Sequence, residues 1–191
     1  MVNVATVFTS LVINQLALGL VSAPHFSNNV SPNMTKINIS NDNWRITNDD
    51  VMGGLSQGNV QSRTSAIIFS GNLSTKNNGG FSSVFMPLND LPQSLSTIAI
   101  TVTGDGNSYQ LRFRRYYQGN LISYKLPFQS IANQTTNHQF ELTQAQATFR
   151  GRALTNAPPL TSESIVSIGL LIRSEKATEY SITLHKISLG E

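Results

Sequence analysis

Apolar residues recur at every second position over most of this chain. Ile98, Ile100 and Val102 would share one face of an extended segment, as would Tyr109, Leu111 and Phe113, and Ile122, Tyr124, Leu126 and Phe128. Ile67 with Phe69, Val84 with Met86, Val166 with Ile168, Leu170 and Ile172, and Tyr180 with Ile182 and Leu184 continue the pattern. A period of two sends alternate side chains to opposite faces of a strand, so each run predicts a strand with one face in a core. Turn residues separate the runs at Asn77-Asn78-Gly79-Gly80, Gly104-Asp105-Gly106-Asn107, Gln118-Gly119-Asn120 and Ala157-Pro158-Pro159. No long window sustains a helical period. Gln139 to Ala147 comes nearest to a short helix, and Thr143 weakens it. Ile187 and Leu189 fall out of phase with Leu184, which predicts a β-bulge near His185. Many short strands with regular turns predict an all-β sandwich.

A length of 191 residues fits one domain, and 39% hydrophobic residues suffice for one core. Charged residues are only 12%, about half the usual ~25%, so the polar surface is built largely from Ser, Thr, Asn and Gln. Such a surface suits hydrogen-bonding recognition better than electrostatic steering. A net charge of +3 is a weak field, and the basic residues cluster only at Arg112, Arg114 and Arg115 and at Arg150 and Arg152. Without a long basic stripe interleaved with aromatics, nucleic acid is not an expected partner. The absence of cysteine excludes disulfides, thiolate metal sites and a cysteine nucleophile.

Residues 1 to 35 contain no Lys, Arg, Asp or Glu. Val4 to Ala23 is mostly apolar and ends in Val21-Ser22-Ala23, a small-x-small pattern of export signals, but it lacks their basic leading residue and Pro24 follows the cut. Thr6, Thr9, Ser10, Asn14 and Gln15 interrupt the run, so no stable membrane span is expected. Alternatively, translation starting at Met34 would open with Met34-Thr35-Lys36-Ile37. Both readings make residues 1–33 a leader outside the fold and 34–191 the sandwich domain. The Met34 start implies a cytoplasmic protein and the signal an exported one.

The densest local pattern is Trp44-Arg45-Ile46-Thr47-Asn48-Asp49-Asp50-Val51-Met52-Gly53-Gly54-Leu55-Ser56. Asn48, Asp49 and Asp50 favour turns by hydrogen-bonding nearby backbone, and Gly53-Gly54 permits positive φ, which predicts a sharply bent, self-bonded loop. This stretch resembles the W-x-x-x-N-D-x-V-M-G-G-x-S signature of the complex I intermediate-associated protein 30 family. Three later segments resemble the same family in the same order: Gly71-Asn72-Leu73-Ser74 running to Gly79-Gly80-Phe81-Ser82-Ser83-Val84; Gly104-Asp105-Gly106-Asn107-Ser108-Tyr109 with Leu111 and Arg112; and Phe149-Arg150-Gly151-Arg152. The resemblance implies a single galactose-binding-like jelly-roll β-sandwich, and a non-catalytic, chaperone-like domain that binds a protein partner, respiratory complex I subunits or intermediates in the mitochondrial branch. A carbohydrate- or small-ligand-binding module is the alternative that such a fold supports.

Adjacent Asp49 and Asp50 would point to opposite faces of an extended segment, so they cannot readily act as a glycosidase pair. They are expected to cap the loop or to contact a ligand together with Asn48. With Asp105 they could also offer oxygen ligands to calcium, although the spacing matches no EF-hand. His25, His138 and His185 have neither ligand spacing nor an evident nucleophile, so no catalytic residue, metal site or cofactor is expected. Where the family pattern usually has Trp, this chain has His138, which would swap one partly buried ring for another. Around Leu111 and Phe113 the alternation puts Arg112 and Arg114 together on the face opposite the core. Arg150 and Arg152 flank Gly151 in what reads as the same geometry. These four arginines are expected to form one binding surface, because the planar guanidinium suits interfaces. Trp44 is expected to plug the end of the core.

Overall fold

A computed structural model describes residues 34–40, 43–88 and 91–191. The expected leader, residues 1–33, lies outside the described residues. Ser31–Glu191 forms one compact unit. Within it two antiparallel sheets pack face to face, and the described residues contain short 3-10 turns but no α-helix.

The six-stranded sheet runs in the order β3 (Gln57–Ser62), β4 (Ile67–Leu73), β13 (Thr178–Gly190), β6 (Thr97–Thr103) and β9 (Thr135–Glu141), with β1 (Thr35–Ile37) paired to β13. Thr178 to Leu184 of β13 pairs with β4, and Ile187 to Leu189 pairs with β1. Opposite β6, the register of β13 shifts between Leu184 and Lys186, so the predicted bulge at His185 is present and returns Ile187 to the core face.

The seven-stranded sheet runs in the order β11 (Arg152–Ala153), β10 (Gln146–Phe149), β8 (Asn120–Gln129), β7 (Ser108–Tyr117), β12 (Ser167–Arg173), β5 (Phe81–Pro87) and β2 (Arg45–Asn48). Between the sheets lie the predicted alternating residues. Phe69, Ile98, Ile100, Tyr109, Leu111, Phe113, Tyr124, Ile168, Leu170 and Ile182 are all within 1% of complete burial. Their non-directional burial holds the two layers together. Trp44 is buried in the core, and its indole N–H donates to the Ile39 carbonyl at 2.9 Å.

The segment nearest to a helical pattern, Gln139 to Ala147, forms no helix. Strand β9 runs through Glu141, a 3-10 turn covers Leu142–Gln144, and β10 begins at Gln146. Half-buried Thr136, His138 and Phe140 alternate with exposed neighbours along β9, so tertiary pairing with β6 outweighs the local propensity. His138 takes the expected ring position, 4.8 Å from the Phe128 ring and stacked on Phe140. Burial lowers the pKa of its imidazole.

Candidate functional site

Two of the family-like motifs meet at one carboxylate. Asn48 precedes the 3-10 turn Asp49–Met52, and Gly53 ends it with φ 84°, the positive value expected of this glycine pair. The turn carries the Asp49 side chain inward until it is 1% exposed. Its Oδ1 accepts from the Ser56 amide at 3.0 Å, and its Oδ2 accepts from the Ser56 hydroxyl and from the amides of Gly80 at 2.6 Å and Phe81 at 3.2 Å. A methyl group at Gly54 would stand 2.2 Å from Oδ1, so the second glycine makes room for the acid. Burial alone would raise the carboxyl pKa. The donors, led by the Ser56 hydroxyl, outweigh it and hold the group below the usual 3.8.

Asp49 is therefore committed to the fold. The arrangement is loop capping, but across 31 residues to Gly80 rather than within the turn. Asn48 is similarly engaged, accepting from the Ser82 hydroxyl at 2.7 Å. Asp50 lies at the exposed start of the same turn.

Asp105 repeats the device at another sheet-to-sheet crossing, between β6 and β7. Its carboxylate accepts from the amide of Ser181 at 2.7 Å, the amide of Asn107 at 2.9 Å and the hydroxyl of Tyr109 at 2.8 Å. Burial opposes ionisation, yet these hydrogen bonds lower its pKa as well. The two acids share no partner, and no group of three acidic or histidine side chains capable of holding a metal occurs among the described residues.

Arg112 and Arg114 lie on the outer face of the seven-stranded sheet, as their alternation with Leu111 and Phe113 predicts. Strand register defines two rows across this face. One runs Gln146, Lys125, Arg112, Gly169, Phe85, Arg45; the other runs Thr148, Ser123, Arg114, Ser167, Pro87. Arg114 lays its guanidinium 3.4 Å from the centre of the Phe85 ring. Gly169 leaves space for that ring, since a Cβ there would sit 2.7 Å from a ring carbon. Arg112 is 9% exposed and donates at 3.0 Å both to the Gln110 side-chain oxygen and to the Thr148 hydroxyl. Its buried Nε–H has no acceptor. Desolvation, with repulsion from Arg114, brings the Arg112 pKa down to about 10. Tyr116 continues the line at 66% exposure, beside Leu121 at 42%. At the opposite end a hollow of about 280 Å³ is lined by Asn107, Ser108, Gln129 and Arg173 among others.

Arg150 and Arg152 do not join this surface. Arg150 and Gly151, with φ of 49° and 79°, are the central residues of a tight hairpin that pairs Phe149 with Arg152. Phe149 packs against the core on the face opposite Thr148, so Arg152 shares that opposite side. Arg150 places its guanidinium 5.2 Å from the Phe149 ring. The alternation inferred across Gly151 fails because the chain reverses there. Tyr116, Lys125 and Phe85 also belong to the outer face, a grouping that residue spacing does not reveal because it depends on which strands are neighbours.

A family model described as complex I intermediate-associated protein 30 matches residues 32–184. No curated protein matches the sequence. Among solved structures, the family 11 carbohydrate-binding module of the cellulosomal cellulase Lic26A-Cel5E of Clostridium thermocellum superposes with a TM-score of 0.61 at 12% identity, covering 82% of this chain and 94% of that one. A family 11 module from the same organism, in complex with a β-1,3-1,4-mixed-linked tetrasaccharide, gives 0.59 at 12% identity over 83% and 94%. An exo-β-agarase gives 0.52 at 8% identity, covering 83% of this chain but 25% of the enzyme. At these identities the likeness establishes the galactose-binding-like jelly-roll fold alone.

Proposed function

Because this chain belongs to the complex I intermediate-associated protein 30 family, we propose that it is a non-catalytic binding domain that engages a protein partner in a chaperone-like manner, as an assembly factor for respiratory complex I would. The contact surface is the outer face of the seven-stranded sheet. One observation carries this reading. Arg112 is nearly buried beside Arg114, has an unmatched donor, and meets no carboxylate, while Tyr116 and Leu121 stand exposed on the same face. Arginine and tyrosine dominate the energetically important parts of protein interfaces, and a guanidinium held only by neutral acceptors gains from a carboxylate that a partner supplies. Asp49 and Asp105 are turned to structural hydrogen bonds, which leaves no evident acid–base pair on this face.

A carbohydrate-binding module is the second reading. The exposed Tyr116 ring and the polar hollow beside Ser108 and Gln129 favour it, since sugars stack on aromatic faces and bond to converging polar groups. Purification of the tagged chain from its native host, with identification of co-purifying proteins, separates the two. Recovery of complex I subunits that is lost in Tyr116→Ala supports the assembly reading. Specific retention on a glycan array, with no protein recovered, replaces it with the second.

A further inference from the structure

The outer face of the seven-stranded sheet carries Arg45, Arg112, Arg114, Lys125 and Arg173 at outward register positions. Among the described residues, no acidic side chain falls anywhere in the strands of that sheet. The acids that lie in strands, Glu141 and Glu179, belong to the other sheet. In a chain with net charge of only +3, this is a segregation of charge that composition conceals. Arg112 and Arg114, two residues apart on one strand, repel each other, and desolvating Arg112 adds to the cost, so an arriving anion relieves this pair.

We infer that this face receives an extended acidic segment of the protein partner, with carboxylates at alternate positions seated on Arg112 and Arg114 and an apolar side chain against Tyr116 and Leu121. The inference rests on the protein-partner reading above. Spacing supports it. Residues two apart on an extended strand project to one side at intervals of about 7 Å, the same interval that separates Arg112 from Arg114 along β7. Lys125 stands beside Arg112 on the neighbouring strand, at a cross-strand distance of about 5 Å, and can close on the same carboxylate. The Arg112 guanidinium is held only by the neutral acceptors Gln110 and Thr148, and a carboxylate is the stronger acceptor for its terminal N–H groups.

The centre of the face argues for a peptide over an acidic polysaccharide. Phe85, the aromatic nearest the arginines, is 6% exposed because Arg114 covers its ring. A sugar ring therefore finds no stacking platform beside the cations. The exposed aromatic, Tyr116, sits at the margin next to an aliphatic neighbour, a pairing suited to an apolar side chain.

The test is fluorescence anisotropy of the folded chain with a labelled decapeptide of alternating Glu and Thr. The same peptide with Gln for Glu and an unlabelled polygalacturonate competitor are the controls. The Glu peptide should bind at least about tenfold more tightly than the Gln peptide, and its affinity should fall as salt rises. Arg114→Gln with Lys125→Gln should weaken binding about tenfold. Lys125→Gln with Arg173→Gln, which leaves the Phe85 stack intact, should weaken it measurably at an unchanged melting temperature. Equal binding of the two peptides, an unaffected double variant, or stronger binding of polygalacturonate overturns the inference. If co-purification of the native partner depends on Tyr116 but ignores both charge variants, the acidic segment is wrong while the protein-partner reading stands.

Discussion

Asp49 and Arg112 are both charged groups with little access to solvent, at 1% and 9% exposure, and the protein treats them in opposite ways. Four donors from two segments converge on Asp49, so its charged form is favoured and its pKa lies below 3.8. Arg112 has two neutral acceptors, a second cation nearby and a buried Nε–H with no partner, so its charged form is disfavoured and its pKa falls to about 10. A charge whose bonds are completed inside the chain belongs to the fold. One left incomplete, on a sheet whose described strands carry no acid, belongs to something outside it.

The comparison breaks first if Asp49 proves dispensable. Asp49→Ala strands the amides of Ser56, Gly80 and Phe81 together with the Ser56 hydroxyl. The loss should be on the order of 3–5 kcal/mol, read as a lower urea midpoint. Because the folded-state pKa is depressed, the stabilisation is fully present above pH 3.8 and is lost as pH falls through the folded value. The stability gap between wild type and Asp49→Ala should therefore narrow on acidification below pH 3.8, and a constant gap would assign the cost to packing instead.

The two glycines sharpen the same point by separating space from conformation. At Gly54 the added methyl would meet the Asp49 carboxylate at 2.2 Å, so Gly54→Ala should displace the acid and cost about 2–4 kcal/mol. Gly53 has φ 84° with nothing near its missing Cβ, so Gly53→Ala should cost only about 1 kcal/mol. Equal melting temperatures for the two variants would mean that the close approach does not matter.

How much of this was legible depended on the range of the interaction. Period-two alternation reports which face of a strand is buried, so the core, the Arg112–Arg114 face and the bulge at His185 could all be read from residue spacing. The partner of Asp49 could not, because Gly80 lies 31 residues away and only closure of the sandwich brings its amide in. The cationic outer face was equally hidden. Lys125, Gly169 and Phe85 join Arg112 only once strand order is known. Local alternation misled wherever the chain turned, as at Arg150-Gly151, or where pairing overrode a weak helix signal, as at Gln139.

Arg112→Met tests the other half of the comparison. Removing a buried charge that has no counter-charge, while keeping its aliphatic bulk, should be neutral or stabilising within about 1 kcal/mol. Thr148 keeps its hydrogen bond to the Ser123 carbonyl, which limits the damage. The same variant should lose partner binding. A large fall in melting temperature would instead make Arg112 structural and place it with Asp49.

The smallest effect is expected at the hairpin. Arg150 and Arg152 are exposed, and neither lies on the outer face that carries Arg112. Replacing both by Ala removes one exposed cation–ring contact, at 5.2 Å, and leaves the Phe149–Arg152 backbone pairing in place. Such a contact contributes about 0.5–1 kcal/mol at most in water, and surface substitutions usually fall within about 0.5 kcal/mol, so thermal unfolding should barely move. Partner binding should be equally indifferent, since cations at this edge hairpin add little beyond a Debye length of about 8 Å at physiological salt. The double variant is also the charge control for the outer face, because it removes two arginines from the chain as Arg112→Ala with Arg114→Ala would. If both pairs weaken binding alike, net charge rather than the geometry of one face governs recognition. If the Arg112 and Arg114 pair alone does so, position on the sheet decides.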